Sequence, residues 1–250
     1  MIPFRSRSLS VLGVIPARLA STRLPRKVLR EIAGRPMLCH VYERARRAPH
    51  LGDVLVATDS DEVAGVCRAF NIPAILTSPD HPSGTDRIWE VAQGRVADVY
   101  VNIQGDEPLI TPDHIERLIA PFIEHPETQV TTLMIRADEA ELASRTVNKV
   151  VCDAMSRALY FSKLPIPYDR DGIGVTRYKH IGLYAYRRHA LEAFHQLRPS
   201  IIERAEGLEQ LRFLEHGIPI VVVETDQATI GVDTEEDLRA VEAHLRSRPA

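Results

Sequence analysis

Cysteine is scarce in this chain, three in 250 residues, and Cys39, Cys67 and Cys152 lie far apart with no C-x-x-C spacing. That argues against a disulfide framework and against the usual zinc or redox pair, leaving reduced thiols of the kind found in a cytoplasmic protein. Long apolar runs are missing too. "VLGVIPA", residues 11–17, follows a basic "RSRS" and looks superficially like a secretion signal, but it is seven residues long, contains Pro16 and meets Arg18 at once. It reads as a first core strand. Positive charge is not in excess: 31 Lys and Arg face 34 Asp and Glu, for a net charge of -3. The balance excludes a general attraction to nucleic acid or to an anionic membrane, so any anion site must be local. Two glycine-rich signatures are also absent, G-x-G-x-x-G after the first strand and G-x-x-x-x-G-K-[ST] anywhere. Their absence argues against a dinucleotide-binding fold and a P-loop.

What is present suits a globular protein with a substantial core, 44% hydrophobic and 26% charged. Apolar runs alternate with helical-period segments: strands at "SVLGVIPA", "DVLVATD", "PAILTS" and "DVYVNIQGDEP", and helices at "GRPMLCHVYERARRA", "DEVAGVCRAF", "GTDRIWEVAQG" and "PDHIERLIAPFIEH", the last capped by Pro112 and Asp113. That order predicts a parallel sheet covered by helices, with ligands at the carboxyl ends of the strands. The second half is less regular. Strands are expected at "QVTTLMIRA", "NKVVCD", "RALYFS", "RYKHIGLYAYRR" and "PIVVVET", and helices at "RRHALEAFHQL", "EGLEQLRFLEHG" and "EEDLRAVEAHLRS". Residues 1–10 are expected to be a disordered extension, and 11–250 one domain with a projecting subdomain at about 140–190.

Three stretches carry chemistry. The loop after the first strand gathers Arg18, Ser21, Arg23, Arg26 and Lys27. Cationic forks, a hydroxyl and free backbone N–H groups suit a triphosphate or a pyrophosphate leaving group, or simply make a solvated basic loop. "NIQGDEP" puts Asp106 at the sheet's carboxyl edge, where it can hold Mg²⁺ or merely turn the chain. "IGVDTEEDL" offers Asp233 as a second ligand or a turn residue, with Thr234 and Asp237 as a capping box. Beyond these, "SGT" at 83–85 is a hydroxylated helix start, His180 sits in apolar alternation as a core histidine or a ligand, and Glu209 and Gln210 flank apolar helix positions.

Together "IPARLASTRLP", "ATDSDEV", "SGTDR", "NIQGDEP", "KVVCD", "ALYFS", "PIPYDRD", "KHIGLYAYR", "EGLEQLR" and "GVDTEEDL", in this order from Leu12 to Leu245, resemble the 3-deoxy-manno-octulosonate cytidylyltransferases. The resemblance implies an α/β, Rossmann-like nucleotidyltransferase fold, a mostly parallel sheet flanked by helices with a small dimerisation subdomain. It implies transfer of CMP from CTP to the anomeric C2 hydroxyl of 3-deoxy-D-manno-octulosonate (Kdo), releasing pyrophosphate, by a cytoplasmic, Mg²⁺-dependent homodimer serving lipopolysaccharide biosynthesis. Arg18, Ser21 and Lys27 would hold the triphosphate, and Ala17, Ser83 and Thr85 would lie at the cytidine. Asp106 and Asp233 would hold Mg²⁺, and Arg18, Lys27 and both aspartates would form the catalytic set. Arg23, Gln104, Lys163, His180, Tyr184, Glu209 and Gln210 would line the sugar pocket.

Two positions depart from the family pattern. Arg26 stands where Gly is common, and Lys163 where Arg is common, which loses a bidentate fork for a carboxylate. The alternatives are transfer to a related acid sugar, of the 8-amino-Kdo or sialic acid type, and a non-catalytic nucleotide- or sugar-binding module.

Overall fold

The computed structural model describes residues 9–19 and 24–247. Ser21 and Arg23, and residues 1–8 of the expected extension, lie outside them, whereas Ser10 N donates to Asp98 Oδ2 at 2.9 Å. The elements run β1 (Val11–Ala17), a 3₁₀ turn (Lys27–Leu29), β2 (Glu31–Ile32), β3 (Arg35–Pro36), α1 (Met37–Ala45), β4 (Asp53–Thr58), α2 (Asp61–Ala69), β5 (Ala74–Leu76), α3 (Gly84–Gly94), β6 (Val99–Asn102) and α4 (Pro112–Glu124). Then come β7 (Val130–Arg136), α5 (Glu139–Ala143), β8 (Lys149–Cys152), β9 (Ala158–Ser162), β10 (Tyr178–Arg187), α6 (Arg188–Gln196), α7 (Ile201–Glu206), α8 (Leu211–Glu215), β11 (Ile220–Glu224) and α9 (Glu235–Ser247).

The central sheet has the order β11-β7-β10-β6-β1-β4-β5. β1 pairs in parallel with β4 and β6, β4 with β5, and β11 with β7, while β10 runs antiparallel between β6 and β7. β8 and β9 form a hairpin attached to the start of β10. Alternation along β1 explains the layering. Val11, Ile15 and Ala17 face a core shared with Leu38 and Val41 of α1 and Ile115, Leu118 and Phe122 of α4. Leu12 and Val14 face the opposite core, with Ile88 and Trp89 of α3, Leu191 and Phe194 of α6, and Phe213 of α8. Each fully buried Leu, Ile or Phe contributes roughly 1.5–3 kcal/mol, so both faces are strongly specified. A third cluster of Leu24, Ile32, Met37, Leu109, Val232, Leu238 and Val241 holds α9 against the β2–β3 ribbon and so fixes the segment before Asp233.

Two sequence expectations need correction. α4 is capped by Thr111, whose hydroxyl accepts from His114 N at 3.3 Å; Pro112 is its first helical residue. The segment read as one helix from Glu206 divides into α7 and α8, because a Ser200–Glu203 capping box starts α7 earlier and Gly207, at φ +64°, ends it.

Candidate active site

Parallel strands deliver their following loops to one edge of the sheet, and the chemistry-bearing residues gather there. Ala17 ends β1 opposite Thr58 and is fully buried. Arg18 Nη2 donates to the His81 carbonyl at 2.9 Å, which ties the loop after β1 to the turn before α3. The His81 ring in turn meets Glu90, whose Oε2 also accepts from Ser78 N at 2.9 Å.

Lys27 opens the 3₁₀ turn, entered through Arg26 in the left-handed conformation at φ +56°. Its ammonium lies 2.5 Å from Asp106 Oδ2 and 2.9 Å from Asp233 Oδ1. Burial pulls its pKa down, but the adjoining charge and hydrogen bonds of the two aspartates outweigh this and hold it above the ordinary lysine value. Asp106 reaches this point because Gly105 crosses close to β1: a Cβ there would stand 3.1 Å from Pro16 O. Asp233 is fixed from its own side by Asp237, which accepts from Asp233 N at 3.0 Å and caps α9 through Thr234.

The two segments that carry these carboxylates are also joined directly. Val232 N donates to Asp106 O at 2.9 Å, and the Thr229 hydroxyl donates to Glu107. Gly231 packs on the same carboxyl, since a Cβ there would lie 3.2 Å from Glu107 Oε1. Burial, opposed by the Thr229 bond and reinforced by Asp106 and Asp233, pushes Glu107 up to about 7. Motif reading singled out Asp106 and passed over its neighbour, and nothing local in the sequence marks Thr229 as its partner.

A hard divalent cation fits this donor set. Two carboxylates converge on one point, and Mg²⁺ takes one or two carboxylates and completes its shell with water and phosphate oxygens. Among the described residues no group of three or more His, Cys, Asp or Glu is arranged to hold a metal.

At the start of α3, Ser83 Oγ accepts from Asp86 N at 3.1 Å and donates to Asp86 Oδ2 at 2.7 Å, while His195 Nδ1 lies 3.1 Å from Asp86 Oδ1. Thr85 Oγ1 donates to Glu209 Oε1 at 2.7 Å, which brings a residue read as a cytidine contact onto one read as a sugar contact. Burial lifts the Glu209 pKa above the ordinary range, against hydrogen bonds from Thr85 and Ser83.

On the other side of β6, Gln104 Nε2 donates to Gly182 O at 3.3 Å, and Tyr184 stands opposite Asn102. The His180 ring lies 5.3 Å from that of Tyr184 and 5.0 Å, edge-on, from that of Phe161. Gln210 is buried, and its Nε2 has no hydrogen-bond partner among the described residues. Lys163 ends the β9 hairpin: its backbone N donates to Glu206 Oε2 at 3.1 Å, and its ammonium lies 3.4 Å from where a Cβ on Gly207 would stand.

The chain matches the sequence profile of the cytidylyltransferase family over residues 12–228. It is 59% identical over 242 residues to the 3-deoxy-manno-octulosonate cytidylyltransferase of Acidobacterium capsulatum, covering 96% of this chain and 98% of that one. This chain belongs to that cytidylyltransferase family. A second relative, the 3-deoxy-manno-octulosonate cytidylyltransferase of Koribacter versatilis, is 53% identical over 96% of this chain and 92% of its own. The solved structure of a CMP:2-keto-3-deoxy-manno-octonic acid synthetase complexed with CTP superposes with a TM-score of 0.92 at 45% identity, over 95% of this chain and 99% of the other. A Leptospira borgpetersenii cytidylyltransferase, 16% identical over 97% of this chain and 89% of its own, superposes with a TM-score of 0.65 and shares the fold. The sequence matches and the structural superposition agree on the nucleotidyltransferase fold and the cytidylyltransferase assignment. Among the described residues no helix is long and apolar enough to cross a membrane.

Proposed function

We propose that the chain transfers CMP from CTP to the anomeric C2 hydroxyl of Kdo, forming CMP-Kdo and pyrophosphate. The observation that carries this is the convergence of Lys27, Asp106 and Asp233 on one point at the carboxyl edge of the sheet. The C2 oxygen attacks the α-phosphorus in line, a new O–P bond forms, and the bond to the β-phosphate oxygen breaks. Negative charge moves onto the leaving pyrophosphate, where preorganised cations contribute most of the stabilisation. Arg18 and Lys27 bind and orient the triphosphate. Asp106 and Asp233 would hold Mg²⁺, which when bound would neutralise phosphate charge and acidify the attacking hydroxyl, whose proton would pass to solvent. Ser83 and Thr85 lie at the cytidine, Gln104, Lys163, His180, Tyr184, Glu209 and Gln210 at the sugar, and Ser21 and Arg23, outside the described residues, at the triphosphate and sugar respectively.

The working form is a homodimer. Exposed apolar side chains concentrate around the β8–β9 hairpin and the loop that follows it, with Met155 70%, Tyr168 84% and Ile173 81% exposed. Such a patch favours burial against a second copy. The reaction fits a cytoplasmic step of lipopolysaccharide assembly, where CTP is available.

Pyrophosphate release with Mg²⁺, each of the four nucleoside triphosphates and a panel of acid sugars tests the reading. CTP with Kdo alone should react. Preference for an 8-amino or sialic-type sugar would shift the substrate within the same chemistry, and no release with any sugar from folded protein would leave a binding module. Asp106→Asn and Asp233→Asn should each abolish turnover while sparing thermal stability.

A further inference from the structure

Thr132 stands in β7 opposite Tyr184 of β10, where the pairing register shifts between Ile181 and Tyr184. The irregularity turns several polar atoms onto one hydroxyl. Thr132 Oγ1 lies 2.8 Å from Leu183 O, 3.3 Å from Ile181 O and 2.9 Å from His180 Nε2. A carbonyl oxygen can only accept, so the single hydroxyl proton goes to Leu183 O. What remains on Oγ1 is acceptor capacity, and the ring nitrogen facing it must therefore carry a proton and donate.

Burial pushes His180 down to about 3, so its ring is neutral at neutral pH. A neutral imidazole with Nε2–H has a bare lone pair at Nδ1. That atom is buried and has no hydrogen-bond partner among the described residues. The edge of Phe161 and the ring of Tyr184, with centroids at 5.0 and 5.3 Å, restrict reorientation of the imidazole.

We propose that Thr132 is a positioning residue that fixes His180 in the Nε2–H tautomer, so that Nδ1 accepts a hydrogen bond from a hydroxyl group of the acid sugar. The inference rests on the assignment of His180 to the sugar pocket made above, and it divides the labour within that pocket. A carboxylate offers lone pairs only and is repelled by Nδ1, so the sugar's carboxylate falls to cations and amide N–H groups, and His180 reads a hydroxyl.

Imidazole ¹⁵N spectra of labelled protein test the tautomer without turnover. The wild type should show a protonated Nε2 and a bare Nδ1, and added Kdo should shift the Nδ1 resonance as it gains a hydrogen bond. Thr132→Val removes both the acceptor for Nε2–H and the donor to Leu183 O. It should disturb the tautomer and raise KM for Kdo about tenfold with KM for CTP unchanged, the loss of about one hydrogen bond. Thr132→Ser should restore both. A wild-type Nδ1–H tautomer, an Nδ1 resonance indifferent to Kdo, or an unchanged KM for Kdo in folded Thr132→Val overturns the inference. Should the wild type release no pyrophosphate, the proposed function fails, and the nitrogen spectra with and without Kdo still decide the role of Thr132.

Discussion

Lys27 Nζ and Asp106 Oδ2 are 2.5 Å apart, and the same ammonium reaches Asp233 at 2.9 Å. The lysine thus stands among the oxygens assigned to a divalent cation, and its positive charge competes with that cation for them. A triphosphate offers Lys27 another anionic partner and opens the carboxylates. Metal and nucleotide should therefore bind with positive coupling, each strengthening the other by the same factor.

Lys27→Met tests the competition. In the absence of CTP the variant should bind Mn²⁺ more tightly than the wild type, by titration calorimetry, because the carboxylates have lost their internal cation. Its turnover should fall on the order of 10²–10³-fold, as when one preorganised electrostatic group is removed from a transition state. Equal or weaker Mn²⁺ binding by folded variant would show that Lys27 does not compete with metal.

Arg26 occupies left-handed backbone at φ +56°, which costs an L-residue about 1–2 kcal/mol and costs glycine little. Glycine, which the resemblance leads one to expect at this position, would adopt that conformation without the cost. The Arg26 side chain pairs with Glu62 at the surface, an exposed contact of small value. Arg26→Gly should be more stable than Arg26→Ala by about 1 kcal/mol in urea unfolding, both lacking the Glu62 pair. Equal stabilities would mean that the turn relaxes out of the left-handed region.

Glu107 gives a pH dependence of definite sign. Folded, it titrates near about 7, against an ordinary value of 4.5. The folded state holds the proton longer, so this group's contribution falls as pH rises from 4.5 to 7, and the cost is complete above that window. Glu107→Gln removes the effect. In metal-free protein, its stability relative to wild type should grow by about 2 kcal/mol between pH 5 and pH 8, read from urea midpoints at each pH. A constant difference would place the carboxyl in contact with solvent.

Much of this was legible in the chain. Period-two and period-3.6 patterns gave nearly every strand and helix, because each buries one face on the sheet or one stripe on a core. The start of α3 at Ser83 and the Thr234–Asp237 cap were equally plain, since capping acts over three or four residues. Illegible were relations between distant segments. Nothing near Thr132 announces that a β-irregularity fifty residues later will turn His180 onto its hydroxyl, and nothing near Glu107 announces Thr229. Even the division of α7 from α8 turned on one glycine inside an otherwise amphipathic run.

The hydrogen bond from Val232 N to Asp106 O joins segments that synthesis separates widely. A nascent chain that has just completed β11 already has every strand of its central sheet but lacks Asp233, and with it α9 and the apolar contacts that hold it in place. Such a chain has the strands of its sheet complete and, on the role proposed for Asp233, its metal site incomplete. On the role proposed for Asp233, chemical competence would arrive only with the last helix, so loss of the tail after β11 should silence the enzyme while its sheet survives.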